Sequence, residues 1–242
     1  SPRNRDNALI RFRGDCPHRR KRYVLEENET SGIAETCGDE FEDGDLKWEL
    51  LSTEHLIHDR WIDFCASKYR LPDGAELGPL YTYSRLDDVV IVATDEEGKF
   101  ICVRQFRQGI RKVTTEFPAG GVEPGEDPFV AAVRELREET GYEVPDGGLR
   151  QLMKIPSNAT ISDNYAFIFR AENCRKVSSQ ELDMAEFVDV VVIEPERLAR
   201  LIAQGRFDQA VHVMAYYMAA QSQAGRGDCM EQLHEGNEKE TL

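Results

Sequence analysis

Proline and glycine are concentrated in one short segment, Phe117 to Gly125, which lies directly before a stretch with helical character. Such a density of turn residues predicts a loop. Asp127 is then suited to cap a helix and Pro128 to begin it, because proline at the first helical position gives up only an amide that has no partner there. Gly141 provides the left-handed residue that commonly ends a helix. The sequence therefore predicts a loop followed by a helix from Pro128 to about Thr140.

The predicted helix has two chemically different faces. Apolar residues at helical spacing predict a stripe that packs against the core, formed by Phe129, Ala132, Val133 and Leu136. The other face carries three carboxylates within about one turn, those of Glu135, Glu138 and Glu139. Such carboxylates repel one another unless a divalent cation neutralises them, and an oxygen-only ligand set suits Mg²⁺ or Mn²⁺. Arg134, four residues before Glu138, is placed to hold the acidic group in register. The alternative is a solvated acidic face.

These residues resemble the motif of a known family, the Nudix box, written G-x5-E-x7-R-E-U-x-E-E-x-G-U, where U is aliphatic. The chain matches its fixed positions with Gly120, Glu126, Arg134, Glu135, Leu136, Glu138, Glu139 and Gly141. The one departure is Tyr142 at the last aliphatic position, which packs rather than reacts. The resemblance implies an α/β fold, the Nudix-type α/β/α sandwich with a mixed sheet. It also implies a hydrolase that uses Mg²⁺ (or Mn²⁺) to cleave nucleoside diphosphates linked to another moiety.

The overall charge of the chain limits its partners. With 45 acidic and 30 basic residues the net charge is -15, and a polyanion such as nucleic acid needs a basic field to bind. No apolar run approaches the roughly 18 residues that span a bilayer, and the first residues lack the apolar core of a signal peptide. We therefore expect no nucleic-acid partner, no membrane segment and a cytoplasmic protein.

The six cysteines are spread along the chain without a CxxC pair. Cys65 and Cys102 lie in apolar, strand-like contexts, which predicts free buried thiols. A zinc site that combines Cys16, His18 and Cys37 is an alternative use, but no fourth ligand is evident.

Charge and periodicity divide the chain into four regions. Residues 1–45 are a charged N-terminal arm, basic up to residue 22 and acidic beyond, and residues 222–242 are a polar C-terminal tail. We expect the charged blocks to be solvated, with pairing to each other or to an acidic partner as alternatives. Residues 46–86 are an N-terminal β-strand extension, and residues 87–221 are the domain that carries the box.

Alternating apolar and polar residues predict the strands. Before the box they cover Trp48 to Leu51, Leu56 to Tyr69, Leu80 to Tyr83, Val89 to Ala93 and Phe100 to Phe106. A turn at Leu71 to Gly74 and a hairpin turn at Asp95 to Gly98 separate neighbouring strands. After the box we expect strands near Gln151 to Ile155, Ala166 to Phe169 and Phe187 to Ile193, and helices over Pro195 to Gln204 and Phe207 to Ala220.

Three features that flank the box resemble the ADP-ribose and nucleotide-sugar pyrophosphatase branch of the family. They are Val103 to Arg107 with Thr115 to Gly120, the stretch Asp59 to Gly74, and Ala185 to Val190. The resemblance covers roughly residues 48–220. It implies a nucleoside diphosphate sugar as substrate, and upstream strands that build a homodimer and bring an aromatic residue over the base.

The resemblance also implies a role for each matching residue. Divalent ions would be held by the Ala119 carbonyl and by the carboxylates of Glu135, Glu138 and Glu139. Arg134 would belong to the catalytic group, and the framework of the box would be Gly120, Glu126 and Gly141. Glu186 would act as general base or orient the attacking water, with Asp183 and Glu181 as further candidates and a simple charged loop as the alternative.

By the same resemblance, residues outside the box would bind the substrate. Arg107 resembles the phosphate-binding arginine, whose planar fork suits a diphosphate, and the alternative is a surface arginine at a strand end. Glu116 belongs to the same substrate-binding set. Trp61 resembles the adenine-stacking aromatic, and the alternative is a core tryptophan. Tyr81 and Arg85 are further candidates from the third strand.

One departure from the branch bears on the sugar. Where many ADP-ribose enzymes have a Ser-Pro-Gly turn after the box, this chain has Pro156 to Thr160 followed by Ser162, Asp163 and Asn164. The side chains of Asn158, Asp163 and Asn164 are suited to bond sugar hydroxyls or to close a turn.

Three hypotheses for the function follow from these residues. The leading one is a pyrophosphatase that splits ADP-ribose, or a related nucleotide sugar, into a nucleoside monophosphate and a sugar phosphate. The second keeps the box but changes the substrate to a dinucleoside polyphosphate, NADH or a nucleoside triphosphate. The third is a non-catalytic nucleotide sensor with the same fold, and the intact box speaks against it because such sensors commonly lose box glutamates.

Overall fold

A computed structural model gives the fold and describes residues 46–59, 61–182 and 187–222. Within these ranges, two sheets and three helices make up the regular structure. The predictions for the charged arm, for most of the polar tail and for the cluster of Cys16, His18 and Cys37 lie outside the described residues and stay predictions.

The N-terminal extension is an antiparallel sheet of three strands. They are β1 (Glu49–His58), β2 (Asp63–Arg70) and β3 (Glu76–Ser84), in that order. The predicted turn between β2 and β3 is confirmed, since the Gly74 N–H donates to the Leu71 carbonyl at 2.9 Å. The prediction of one strand from Leu56 to Tyr69 is wrong. The Asp59 carboxylate accepts the N–H groups of Trp61 and Ile62 at 2.7 and 3.1 Å, and this local turn ends β1.

The second sheet has eight strands. They are β4 (Asp88–Asp95), β5 (Phe100–Arg107), β6 (Lys112–Glu116), β7 (Ala119–Gly121), β8 (Tyr142–Glu143), β9 (Leu149–Pro156), β10 (Tyr165–Lys176) and β11 (Val188–Ile193). The order β11-β5-β4-β10-β8 forms the body, with β6 beside β5, β7 beside β4 and β9 beside β10. The pair β4–β10 is parallel and the other pairs are antiparallel, so the sheet is mixed, as predicted.

The short strand β7 corrects the prediction that the whole of Phe117 to Gly125 is a loop. Its three residues pair with the first three residues of β4, so that Gly120 lies opposite Val89. The pairing continues on one side, where the Ile91 N–H donates to the Pro118 carbonyl at 2.9 Å. This ladder places Gly120 and Gly121 against β4, the central strand of the sheet.

Helices cover both faces of the eight-stranded sheet, which confirms the predicted α/β/α sandwich. The first helix, α1 (Pro128–Thr140), packs through its buried residues on the side of β4 that carries Val89, Ile91 and Ala93. Two further helices, α2 (Pro195–Ala203) and α3 (residues 210–222), pack on the side that carries Val90 and Val92. Successive β4 residues therefore face opposite layers, as the pleat of a strand requires. None of the helices in the described ranges is long and apolar enough to cross a membrane.

The ends of α1 lie where the sequence predicts them, whereas its buried face differs in part from the predicted one. Asp127 Oδ1 accepts the Phe129 N–H at 2.7 Å, and Gly141 ends the helix at a φ of 71°. Ala132 and Leu136 are buried as expected, together with Ala131. Phe129 and Val133 are 43% and 42% exposed. The Phe129 ring meets the buried Phe169 of β10 edge to face, so it covers the rim of the core and is not enclosed by it.

Replacing Gly141 with alanine is expected to destabilise the fold by about 2 kcal/mol or more, because a left-handed residue with a Cβ costs about 1–2 kcal/mol. In addition, a Cβ at this position would collide with the backbone carbonyl of Ser178, which cannot rotate away. The matched control is Gly147→Ala, which has a similar φ of 74° and open space around it. Thermal unfolding would separate the two variants, and equal losses of stability would contradict the proposed collision.

The free cysteines behave as predicted. Cys65 and Cys102 are buried and unpaired, and Cys174 is a third buried free thiol. Burial raises the pKa of the Cys102 thiol far above its usual range and raises the pKa of Cys174 to about 12, so both thiols stay protonated.

The loop between β9 and β10 joins the two sheets. The Tyr83 N–H at the end of β3 donates to the Ile161 carbonyl at 2.8 Å, and the Ser84 hydroxyl donates to the Asp163 carboxylate. The Asn164 side chain donates to Asp88 Oδ2 at 3.1 Å. These contacts fix the end of the small sheet beside the first residue of β4.

Candidate active site

Arg134 is the centre of the acidic cluster on α1. Its Nε and Nη2 atoms donate to the two carboxylate oxygens of Glu126 at 2.9 and 2.8 Å, as a fork. Nη1 donates to Glu135 at 2.7 Å and to Glu138 at 3.1 Å, and Nη2 also donates to the Gly121 carbonyl at 3.0 Å. The Glu126 hydrogen bonds raise the pKa of Arg134 well above its usual range. One guanidinium thus connects the loop before the helix to two of its carboxylates.

Two further contacts join the acidic cluster on α1 to β7. The Glu139 carboxylate is buried, and its Oε2 accepts the Ala119 N–H at 3.0 Å. The Glu135 carboxylate lies directly against Gly120, in the space that a Cβ on that residue would occupy. Glycine is therefore required here by close approach of a side chain, and not by its backbone angle.

Replacing Gly120 with alanine is expected to lower activity by about 10- to 100-fold while leaving stability almost unchanged, because the new methyl group displaces only the flexible end of Glu135. The matched control is Gly121→Ala on the same strand, whose methyl group would meet Leu86 at an ordinary distance of 3.5 Å. Steady-state kinetics and thermal unfolding of both variants check this. A Gly120→Ala enzyme with normal activity would contradict the proposed role of the contact.

A cavity of about 560 Å³ opens beside these carboxylates. It brings together six residues that the sequence singles out, namely Arg85, Arg107, Ala119, Gly120, Glu135 and Glu139. Asp88 and His212 also line it, and neither is among the site residues that the sequence predicts. Glu138 does not line this cavity but a separate groove, which Arg134 and Glu181 also line. The cavity therefore has carboxylates on one wall and two arginines among its other lining residues.

Arg107 is held by a buried carboxylate. Its Nε donates to the Glu116 oxygens at 3.0 and 3.1 Å, and its Nη2 donates to Glu116 Oε2 at 2.5 Å. Glu116 is fully buried, so its carboxylate contributes to the cavity through the arginine that it orients. Although burial raises the pKa of Glu116, hydrogen bonds from Arg107 and Thr114 hold that pKa below its usual value. Glu116 therefore stays ionised and Arg107 keeps a fixed orientation.

Two residues of the C-terminal segment support this pair. Gln209 Nε2 donates to Glu116 Oε1 at 3.2 Å, and His212 Nε2 lies 3.6 Å from Glu116 Oε2. The Phe117 N–H donates to His212 Nδ1 at 3.2 Å, which places the ring proton on Nε2, facing the carboxylate. Burial lowers the pKa of His212 to about 4, so the ring is neutral. The sequence offers no local signal for these contacts, because they join residues that are more than 90 positions apart.

The two aromatic candidates do not line the cavity. Trp61 is 71% exposed, so the alternative that it is a core tryptophan is wrong. Tyr81 is half exposed and its ring stacks on Phe64 at a centroid distance of 5.9 Å. Arg85, the basic candidate that follows the third strand, does line the cavity, and its guanidinium lies 3.8 Å from the Asp88 carboxylate.

The polar loop after the box is used for structure. The Asn158 carbonyl accepts the N–H groups of Ile161 and Ser162 at 3.1 and 2.9 Å, which closes a turn. The side chains of Asp163 and Asn164 bond to Ser84 and Asp88. The Asp163 bond joins this loop to the small sheet, and the Asn164 bond joins it to β4 of the large sheet.

Of the three candidates for the general base, Glu186 and Asp183 lie outside the described residues. Glu181 is described: its N–H donates to the Glu138 carbonyl at 2.9 Å, and its carboxylate lies 3.9 Å from Arg137. Next to it, Gln180 Nε2 donates to the Glu139 carbonyl at 2.7 Å and to the Val188 carbonyl at 2.9 Å. Gln180 and Glu181 are therefore bonded to the C-terminal turn of α1, and Val188 is bonded to Gln180.

The fold and the site together define the class of protein. The family model of the NUDIX domain matches residues 84–215, which is more than half of the chain. The chain belongs to the Nudix family and is a hydrolase that acts on diphosphate bonds.

Three known proteins are similar in sequence to this chain. The ADP-ribose pyrophosphatase of Bacillus subtilis (strain 168) is 32% identical over 161 residues, which cover 65% of this chain and 84% of that protein. The methanol dehydrogenase activator of Bacillus methanolicus is 28% identical over 175 residues, which cover 72% of this chain and 93% of that protein. The ADP-sugar pyrophosphatase of Mus musculus is 38% identical over 104 residues, which cover 38% of this chain and 48% of that protein.

A solved structure shares the fold. The crystal structure of an ADP compounds hydrolase matches with a TM-score of 0.66 at 22% identity, and the match covers 75% of this chain and 96% of that one. The shared region therefore includes nearly the whole of the solved chain.

Proposed function

We propose that the protein is a Mg²⁺- or Mn²⁺-dependent pyrophosphatase that hydrolyses ADP-ribose, or a related nucleotide sugar, to a nucleoside monophosphate and a sugar phosphate. The observation that carries the proposal is the cavity in which Arg85 and Arg107 share one space with Glu135 and Glu139. Arginine forks bind diphosphate oxygens, and a carboxylate wall suits divalent cations. The relatives named for ADP-ribose and ADP-sugar hydrolysis support the choice of substrate class.

The residues present fit a divalent cation. Glu135, Glu138 and Glu139 offer only oxygen ligands, which suit such a cation. Glu135 and Glu139 line the same cavity, and Glu138, which lines the neighbouring groove, is joined to Glu135 through Arg134 Nη1. The lack of a Cβ on Gly120 leaves room for the Glu135 carboxylate. We propose that these carboxylates hold the cations together with the Ala119 carbonyl. When bound, divalent cations lower the pKa of water and offset the charge that develops on the diphosphate.

The remaining residues bind and orient the substrate. Glu116 fixes two nitrogen atoms of Arg107, and the third, Nη1, has no bond to Glu116 and is the proposed contact to a phosphate oxygen. Arg85 provides a second positive charge at the cavity edge. Burial raises the pKa of Asp88, and the nearby charges of Arg85 and Arg107 oppose that rise. Together, Arg85 and Arg107 provide the positive charge that a diphosphate requires.

We propose Glu186 as the residue that orients water or takes its proton, with Asp183 and Glu181 as the other candidates. The support comes from the described flanks, where Gln180 and Glu181 bond to the carbonyls of Glu139 and Glu138. Gln180 and Glu181 therefore lie beside the turn of α1 that carries Glu138 and Glu139, and they precede Glu186 by only a few residues in the chain.

We also propose that the protein is a homodimer of the domain at residues 87–221 and that the extension, residues 46–86, makes the contact between the two subunits. In this proposal the extension also provides Trp61, which stacks on the base of the nucleotide. Apolar side chains on β1 support this, because Leu50, Leu56 and Ile57 are 56%, 44% and 55% exposed. Trp61 is exposed in the turn that follows β1. Light scattering after gel filtration tests the dimer, and a single-chain mass at micromolar concentration would exclude it.

Replacing Arg107 with lysine is expected to lower kcat/KM by about 10- to 100-fold, mainly through KM, because lysine keeps the charge but cannot bond Glu116 and a phosphate as a fork. Glu116 keeps a cationic partner, so the fold should survive. The matched control is Arg104→Lys on the same strand, whose side chain lines a different groove. Equal kinetics for the two variants would exclude Arg107 as the phosphate ligand.

The direct test of function is hydrolysis of a substrate panel with Mg²⁺ or Mn²⁺, with the products identified by chromatography. The panel contains ADP-ribose, ADP-glucose, GDP-mannose, UDP-glucose, NADH, diadenosine polyphosphates and nucleoside triphosphates. We expect AMP and ribose 5-phosphate from ADP-ribose as the preferred reaction. Preference for NADH, polyphosphates or triphosphates would reject the proposed substrate class, and nucleotide binding without turnover would reject catalysis.

A further inference from the structure

A second group of potential metal ligands lies on the small sheet, away from the Nudix carboxylates. In a regular strand, His55 and His58 would point to opposite faces, since their separation is an odd number of residues. Strand β1 has a register shift between His55 and Ile57, so that His55 pairs with Cys65 and His58 pairs with Asp63. The bulge places both imidazoles on the face of the sheet that carries Asp63.

The three side chains converge on one point. His55 Nδ1 lies 2.7 and 2.9 Å from the two Asp63 carboxylate oxygens, and His58 Nδ1 lies 3.3 Å from Asp63 Oδ2. The imidazole rings meet edge to face at a centroid distance of 5.7 Å. One ligand atom from each residue lies within 4.8 Å of the others. Both histidine side chains are more than half exposed, so an ion has access from solvent.

The donor set differs in kind from that of the Nudix carboxylates. Two imidazoles and one carboxylate are the ligands of Zn²⁺ and of related transition-metal ions, whereas Mg²⁺ prefers oxygen alone. Zinc–nitrogen and zinc–oxygen bonds of about 2.0–2.2 Å place tetrahedral ligand atoms about 3.3–3.5 Å apart. The 3.3 Å separation of His58 Nδ1 and Asp63 Oδ2 meets this spacing. His55 Nδ1, at 2.7 and 2.9 Å, lies closer to the carboxylate, so an ion would replace this hydrogen bond.

The surroundings supply an outer contact. The Cys65 thiol donates to Asp63 Oδ1 at 3.4 Å and lies 3.5 Å from His55 Nδ1. It is buried behind the cluster, whereas the imidazoles face solvent. A carboxylate that is oriented from behind by a hydrogen bond keeps its ligand geometry when an ion arrives.

We propose that His55, His58 and Asp63 form a binding site for Zn²⁺ or a chemically similar transition-metal ion, separate from the Mg²⁺ site. The ion joins β1 to β2 on either side of the turn at residues 59–62, the turn that carries Trp61. The inference does not depend on which nucleotide the enzyme hydrolyses.

Zn²⁺ binding to the full chain, measured by competition with a chromophoric chelator in excess Mg²⁺, tests the proposal. We expect one Zn²⁺ per chain at this site and at least a 10-fold loss of affinity in His58→Asn and in Asp63→Asn. We also expect Zn²⁺ to raise the melting temperature of the wild type but not of these variants. Circular dichroism of each variant checks that it folds.

Two controls exclude the other possible ligands. Cys16→Ser/Cys37→Ser removes the cysteines of the alternative cluster in the N-terminal arm, and Glu139→Gln weakens the Nudix site. Both should bind Zn²⁺ as tightly as the wild type. Wild-type affinity in His58→Asn, or loss of the bound ion in either control, would overturn the assignment and leave only hydrogen bonds between the histidines and Asp63.

Discussion

Replacing Glu139 with glutamine is expected to lower kcat on the order of 10³-fold and to leave the fold intact. The side chain is buried, and its Oε2 accepts the Ala119 N–H at 3.0 Å. A glutamine oxygen can accept the same bond, so the contact that holds β7 against α1 is kept. The negative charge is lost, and with it the electrostatic attraction that binds a divalent cation.

Initial rates with ADP-ribose over a range of Mg²⁺ concentrations check this prediction, together with thermal unfolding. The control is Glu196→Gln, which removes an exposed carboxylate from the first turn of a different helix. If the Glu139→Gln enzyme turns over at the wild-type rate, the carboxylate cluster on α1 is not the metal site and the proposed function fails.

Replacing Arg134 with lysine is expected to reduce both stability and activity, and this is the second large effect. Arg134 makes five hydrogen bonds to three carboxylates and one carbonyl, and a lysine ammonium has three donors without the planar fork. Because these side chains are partly exposed, we take about 1–2 kcal/mol for each charged hydrogen bond, so the loss of two corresponds to about 2–4 kcal/mol. In a protein of this size such a loss lowers the melting temperature by roughly 5–15 °C.

The loss of activity should exceed what instability explains. Arg134 bonds Glu135 and Glu138 through a single nitrogen, so the spacing of two of the carboxylates proposed to bind metal depends on it. We expect kcat at saturating metal to fall by about 10- to 100-fold at a temperature where the variant is fully folded. The matched control is Arg137→Lys on the same helix, which is half exposed and has ion pairs of 3.5 and 3.9 Å. Similar behaviour of the two variants would show that Arg134 is only a surface cation.

The local part of the site could be predicted from the sequence, because its determinants are close together in the chain. Asp127 and Gly141 set the ends of α1 through their own hydrogen bonds and backbone angles. Once the helix is placed, the offsets of Glu135, Glu138 and Glu139 follow from its period. The buried face of the helix is harder to predict, since Phe129 and Val133 fit an apolar period and are still 43% and 42% exposed.

Contacts between distant segments could not be predicted. The strand character of Ala119–Gly121 depends on a partner strand, β4, that overrides the turn preference of glycine. The support of Arg107 by Glu116 and His212 joins β5, β6 and α3, and no pattern within any one of them reveals it. The bulge that aligns His55 with His58 is likewise a property of the pairing of two strands, and not of β1 alone.

The parallel pairing of β4 with β10 determines when the catalytic arrangement can form during folding. Asp88 pairs with Ala166, 78 residues later, and the whole of α1 lies in the chain between them. Closing so long a connection is slow, because chain entropy is lost before the contacts of the ladder are gained. The β4–β5 hairpin needs only a short turn and can form first. Recovery of hydrolysis after dilution from denaturant should therefore follow the slowest step of refolding, when this central ladder closes around the glutamate helix.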